Sequence, residues 1–238
     1  MKKGTLIFTL AAVLSLFSVV MAASLTGSTY GEATDLGGGT YTLVSDASPG
    51  YGGVDYNTPS SFNFSDINYL GAEQTPEADD TCTGGSPRFQ LNVDTDGDGD
   101  SDGNVFVHTQ FAPGGCPGDT DDLTGANGEI AGTYDLSQVG GSGYTTYSDA
   151  VAFFAANPTY KIVGIQYVVD AGWAASDGEQ TITATPTVEL TLQQAGTTGA
   201  CKNGGWQTLV DDNGNTFKNQ GQCVAFVASG GKSGGKKN

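Results

Sequence analysis

Apolar and polar residues alternate at period two through much of this chain, the signature of strands with one face in a core. The clearest stretch is 88–110. Paired about Gly99, it sets Val93 against Val105, Leu91 against Val107 and Phe89 against Thr109 on one side. Asn92 then meets Phe106, Gln90 meets His108 and Arg88 meets Gln110 on the other. One side is apolar and the other mostly polar, which predicts a half-buried antiparallel hairpin.

The same period predicts a central strand over 160–170, with Ile165, Tyr167 and Val169 on one side. Farther on, Ile182, Ala184, Val188, Leu190 and Leu192 alternate, and Pro186 among them predicts a kink or an edge position. Shorter strands are expected at 40–45, within 61–70 and at 133–136, with 46–61 read as turns. Ser148 is placed to cap a helix over 147–157 whose Val151, Phe154 and Ala155 share a face, and Asn157-Pro158 ends it. Seven or more short strands with one surface helix predict an all-β, jelly-roll-like antiparallel β-sandwich.

The ends of the chain read differently. Lys2 and Lys3, an apolar run over 6–20 and the small-residue site Val20-Met21-Ala22 form a secretory signal peptide, 1–22. A run of ~15 residues is short for a bilayer that needs ~20, so a membrane anchor is the poorer reading, and no transmembrane segment is expected after signal removal. The sandwich then covers 23–194 and a linker 195–200. A small module follows over 201–229, in which Asn219 caps a short helix carrying Cys223, Phe226 and Val227, above Trp206 and Phe217. The tail, 230–238, is expected to be disordered.

Export changes the reading of the four cysteines, because an oxidising compartment favours disulfides. Cys82 and Cys116 are each 17 residues from Gly99, so the hairpin symmetry pairs them and leaves Cys201 with Cys223. Cysteine ligation of a metal is a poor alternative, with no CxxC and His108 as the single histidine. Charge narrows the partners. Of 26 acidic residues against nine basic ones, almost all the basic ones lie outside 23–200, where only Arg88 and Lys161 occur. A nucleic-acid partner needs a basic face and is not expected.

The hairpin tip, loop 94–104, carries Asp94, Asp96, Asp98, Asp100 and Asp102 at alternate positions, interleaved with glycines and followed by Asn104. Carboxylates this dense repel one another unless a hard cation sits among them. The spacing matches the first nine positions of an EF-hand loop, with glycine at the sixth, and makes calcium the expected cofactor. Val105 stands where an EF-hand has its bidentate glutamate, so affinity in the ~10⁻⁴–10⁻³ M range is expected. A solvated turn is the plainer alternative, and magnesium the less suitable ion. The Cys82–Cys116 bridge would also gather Glu77, Asp79 and Asp80 with Asp119, Asp121 and Asp122, as an acidic patch or a second cation site.

Several stretches resemble a group of secreted bacterial and archaeal proteins without an established activity. They are Gly85-Ser86-Pro87-Arg88-Phe89-Gln90 with the aspartate run, the stretch 163–173, and Asp177-Gly178-Glu179-Gln180-Thr181. The ending, from Cys201-Lys202-Asn203-Gly204-Gly205-Trp206 to Cys223-Val224, resembles a tail shared by such proteins. The strand pattern is also similar to jelly-roll carbohydrate-binding modules, an analogy of fold alone.

These readings favour a secreted, calcium-binding carbohydrate-binding or adhesive module without catalysis, its ligand a glycan or cell-surface polymer. Trp173, Tyr51 and Tyr56, in glycine-rich surroundings, are the candidate platforms, each with ordinary packing as the competing role. A structural part of a cell-surface layer is the alternative, with the C-terminal module as a docking tag. A glycosidase comes third: neither GxSxG nor HExxH occurs, though two carboxylates would suffice.

Overall fold

A computed structural model describes residues 20–46, 50–78, 80, 82, 84–111, 116, 118–120, 122–172, 175, 177–202, 204–211 and 215–231. The strands are β1 (Val20–Ser24), β2 (Gly27–Gly31), β3 (Ala33–Gly37), β4 (Thr40–Ser45), β5 (Gly52–Tyr56), β6 (Ile67–Pro76) and β7 (Arg88–Asp94). They continue as β8 (Gly103–His108), β9 (Gly118–Thr120), β10 (Tyr134–Asp135), β11 (Lys161–Val169), β12 (Gln180–Gln194) and β13 (Leu209–Val210). Two helices, α1 (Tyr147–Ala156) and α2 (Gln220–Ala228), complete the set with short 3₁₀ turns.

Two sheets stack face to face as an all-β sandwich. The first runs β3-β4-β12-β6-β9, with β1 and β13 also on β12, and the second runs β10-β8-β7-β11-β5-β2. Phe89, Leu91, Val93, Val105, Val107, Ile165, Tyr167 and Val169 line the inner face of the second sheet. They meet Leu43, Leu70, Ile182, Ala184, Val188 and Leu190 from the first, all essentially without exposure. Burial at this scale, about 1.5–3 kcal/mol per large side chain, is what holds the sheets together. Three polar side chains of the layer pair with one another: Tyr167 Oη and Thr109 Oγ1 both donate to Gln74 Oε1, at 2.6 and 3.1 Å.

The hairpin forms with its faces as read but in another register. Leu91 pairs with Val105 and Asn92 with Asn104, so each partner is shifted by two residues and the turn is centred on Asp98 rather than Gly99. A shift of two keeps every side chain on its face, which is why alternation could not detect it.

Pro186 neither kinks nor edges its strand. It pairs with Ala72 of β6 inside a continuous β12. On the other flank, β4 reaches only Ala184 and β1 begins only at Glu189, so no ladder asks for the missing N–H there. The segment read as turns, 46–61, contains β5. The helix cap is Thr146 rather than Ser148: Thr146 Oγ1 accepts from Asp149 N and the Asp149 carboxylate returns the bond. Ser148 donates instead to Glu129 Oε1, at 2.6 Å. Strand β1 spans the expected cleavage site at Ala22.

Both disulfides pair as expected, Cys82 with Cys116 and Cys201 with Cys223. The C-terminal module has its own small core of Ala195, Cys201, Leu209, Phe217, Cys223 and Phe226, and Asn219 accepts from Gln222 N as the α2 cap. It joins the sandwich where β13 pairs in parallel with the end of β12. No helix among the described residues is long and apolar enough to cross a membrane.

Candidate functional site

At the hairpin tip, Asp94 closes β7 and is buried, 3% exposed, although it carries a carboxylate. One of its oxygens accepts from the N–H groups of Asp96 and Gly97, at 3.1 and 2.6 Å, and the other from Gly99 at 2.9 Å. Gly97 and Gly99 both take positive φ, +87° and +92°, which lets the loop wind round this carboxylate. Across the tip, the backbone N–H of Thr95 and then its hydroxyl bond the Asp102 carboxylate and hold its pKa below the ordinary aspartate value.

Among the described residues, Asp94, Asp96 and Asp102 bring one carboxylate oxygen each within 4.8 Å of one another. That donor set of hard oxygens suits calcium. The other expected ligands lie elsewhere. Asp98 and Asp100 are exposed and outside this group, and Asp98 accepts the Asp100 N–H at 2.8 Å. Asn104 Oδ1 accepts from Asn92 Nδ2 at 2.8 Å, on the outer face of the sheet.

That outer face is the second feature. In one row across all six strands, Ser28 stands opposite Asp55, Asp55 opposite Gln166 and Gln166 opposite Gln90. The row continues through Phe106 to Asp135. Each of these side chains is half-buried or exposed. Gln90 Nε2 donates to Gln166 Oε1 at 3.1 Å, so the middle of the row is an ordered amide pair. Beside it runs a second row, in which Tyr30, Gly53, Val168, Arg88 and His108 stand in register. Gly53 is required there, because a Cβ would lie 2.4 Å from the Tyr30 ring.

Rings stand at both ends of these rows. Tyr30 packs against Tyr51 with centroids 6.0 Å apart, and Tyr51 is 44% exposed. At the far end Tyr144 is 63% exposed and stacks on His108, with Phe111 edge-on to both. Tyr144 takes φ +54°, a left-handed conformation that costs a residue with a Cβ roughly 1–2 kcal/mol. Burial and the nearby Arg88 charge hold His108 below the ordinary histidine value, while Nδ1 lies 3.0 Å from Gly85 O.

Of the platforms read from the sequence, Tyr51 is exposed on this side. Tyr56 is not a platform: it is buried, 5% exposed, and its hydroxyl donates to Pro186 O at 2.8 Å. Its place alternates with Asp55 on β5, which turns it into the core. Trp173 lies outside the described residues, as do Asp79 and Asp121 of the acidic patch. Within that patch Asp80 accepts the Thr181 N–H of β12 at 2.7 Å, and Asp122 accepts from Thr124 Oγ1 at 2.7 Å within its own turn. Sequence reading missed Tyr30, Gln90, Phe106, Asp135, Tyr144 and Gln166. For all but Tyr144, which lies on the loop before α1, the signal is the polar side of the strands.

No protein-family model matches the chain, and neither curated proteins nor solved structures yield a match.

Proposed function

We propose that this protein is a secreted, non-catalytic glycan-binding sandwich whose acidic hairpin tip holds calcium. The observation that carries the reading is the row from Ser28 to Asp135, a band of amides and carboxylates spanning six strands with exposed rings at both ends. Five strand spacings of ~4.8 Å make that band roughly 24 Å long, the scale of an oligosaccharide rather than a single sugar. Sugars offer hydroxyl edges to such amides and apolar C–H faces to such rings. Calcium at Asp94, Asp96 and Asp102 would offset two of the negative charges of the hairpin tip and stiffen the β7–β8 pair that carries Gln90 and Phe106. The single histidine is buried and stacked, which supports binding without general-base chemistry.

The test is titration calorimetry of the secreted protein against a panel of soluble oligosaccharides, beside a Gln90→Ala/Gln166→Ala variant that retains its circular dichroism. Binding by the natural protein that weakens about tenfold or more in the variant, as expected from losing two ordered amides, supports the reading. Silence across the panel overturns it.

One observation favours the surface-layer alternative. Strand β2 is the terminal strand of its sheet, and Gly27–Gly31 carries neither the charge nor the proline that usually guards an open edge. Calcium-dependent growth in mass by light scattering, without glycan binding, would decide for assembly.

A further inference from the structure

We propose that the outer face of the six-stranded sheet takes glycans bearing free amines, polymers of amino sugars, and rejects uronate-rich ones. This rests on the glycan-binding reading and deepens it.

The inference follows from how charge is distributed on that face. Its guanidinium, Arg88, is already spent on Asp170, with NH1 and NH2 each 2.6 Å from a carboxylate oxygen. The other cation of the sandwich, Lys161, turns its Nζ to Asn63 Oδ1 and Pro158 O, at 2.8 and 3.0 Å. Asp55 and Asp135 remain, one toward each end of the row, and Arg88–Asp170 is the one ion pair among the described residues. Four strand spacings separate these carboxylates, roughly 19 Å.

Each carboxylate has a ring beside it. Asp55 is close enough to Tyr30 to raise that phenol's pKa, after the larger effect of burial. Asp135 stands opposite the half-buried Phe106 ring on β8, and its Oδ1 accepts the Ser137 N–H at 2.9 Å. A carboxylate next to an aromatic face attracts an ammonium twice, by charge and by the ring quadrupole. The rest of the domain adds to this, since 23–200 holds all but two of the 26 acidic residues. A polyuronate would meet repulsion over the whole band.

The experiment compares short chitosan oligosaccharides with the same oligosaccharides after full N-acetylation, and with oligogalacturonate, by calorimetry in low and moderate salt. Three proteins are used: the natural chain, Asp55→Asn/Asp135→Asn, and Glu73→Gln/Glu189→Gln. The last removes two charges from the outer face of the other sheet and controls for net charge. We expect the amine form to bind the natural protein about tenfold tighter than the acetylated form, the yield of two surface charge pairs. That advantage should shrink with salt, vanish in Asp55→Asn/Asp135→Asn and persist in the control. Equal affinity for both forms, or preference for oligogalacturonate, overturns the inference and leaves the glycan reading standing. So does an equal loss in both variants, which would mark diffuse attraction. Binding to none of the three beside binding on the neutral panel overturns the inference alone, and binding to none of the three and to nothing on the panel overturns both.

Discussion

Arg88 and Asp170 form a bidentate pair between the start of β7 and the end of β11, and the guanidinium also lies 4.6 Å over the Phe106 ring. The pair ties two neighbouring strands at the edge of the amide row and sets the Phe106 ring in place. Arg88 is 9% exposed, so its charge depends on this partner. Asp170→Asn should lower unfolding free energy by roughly 3 kcal/mol, the cost of stranding a buried cation. Chemical denaturation measures this. The double variant Arg88→Met/Asp170→Leu should recover much of the loss, and if it fares no better than the single change, the stranded-charge account is wrong.

Calcium should stabilise the protein through the tip. With a dissociation constant near ~10⁻³ M, 10 mM calcium adds about 1.4 kcal/mol, or roughly 3–6 °C in melting temperature. Asp96→Asn/Asp102→Asn should abolish the shift, whereas Asp98→Asn, outside the carboxylate group, should keep it. Asp94→Ala is different in kind: it strips the acceptor from three backbone N–H groups and should destabilise by about 1–3 kcal/mol even without calcium. A melting temperature indifferent to calcium up to 10 mM would remove the ion from the proposal.

Acid should weaken the fold in two steps in calcium-free buffer. His108 titrates below its ordinary 6.5 in the folded protein because burial disfavours the imidazolium, with Arg88 acting in the same direction. Between that ordinary value and the lowered one, the unfolded chain holds the extra proton, so stability falls as pH drops below about 6.5. His108→Gln should flatten this step. A second loss belongs to Asp102 and Asp149, held below the ordinary 3.8 by hydrogen bonds from Thr95 and from the Thr145 and Thr146 hydroxyls. Their contribution is complete above that value and disappears as pH falls through the lowered ones. Urea midpoints collected from pH 8 to 3 resolve both steps.

The C-terminal module should come apart before the sandwich. Its core is separate, and the Cys201–Cys223 bridge closes a loop with a sequence separation of 22. Cys201→Ala/Cys223→Ala should cost the module about 3 kcal/mol. Amide exchange should accelerate across β13 and α2 while β7 and β11 stay protected. Simultaneous acceleration of both cores would show one cooperative unit instead.

The alternating faces of β7, β8, β11 and β12, the hairpin and both disulfides follow from local pattern, because side-chain period and cysteine position are properties of the chain itself. Register, neighbours and burial are not. The hairpin could slide by two residues without moving any side chain to the wrong face. Pro186 fits a continuous β12 only because β4 ends and β1 begins on either side of it. Tyr51 and Tyr56 look alike in sequence, yet one is exposed and the other bonds Pro186 O in the core, because Tyr56 sits on the inward side of β5 and Tyr51 precedes that strand. The row from Ser28 to Asp135 draws on residues as far apart in the chain as Ser28 and Gln166, 138 positions, and each strand contributes one member. Alternation assigns each member to a polar face, but only the pairing of β2, β5, β11, β7, β8 and β10 puts those faces side by side, because strand order is settled by the packing of the whole sandwich.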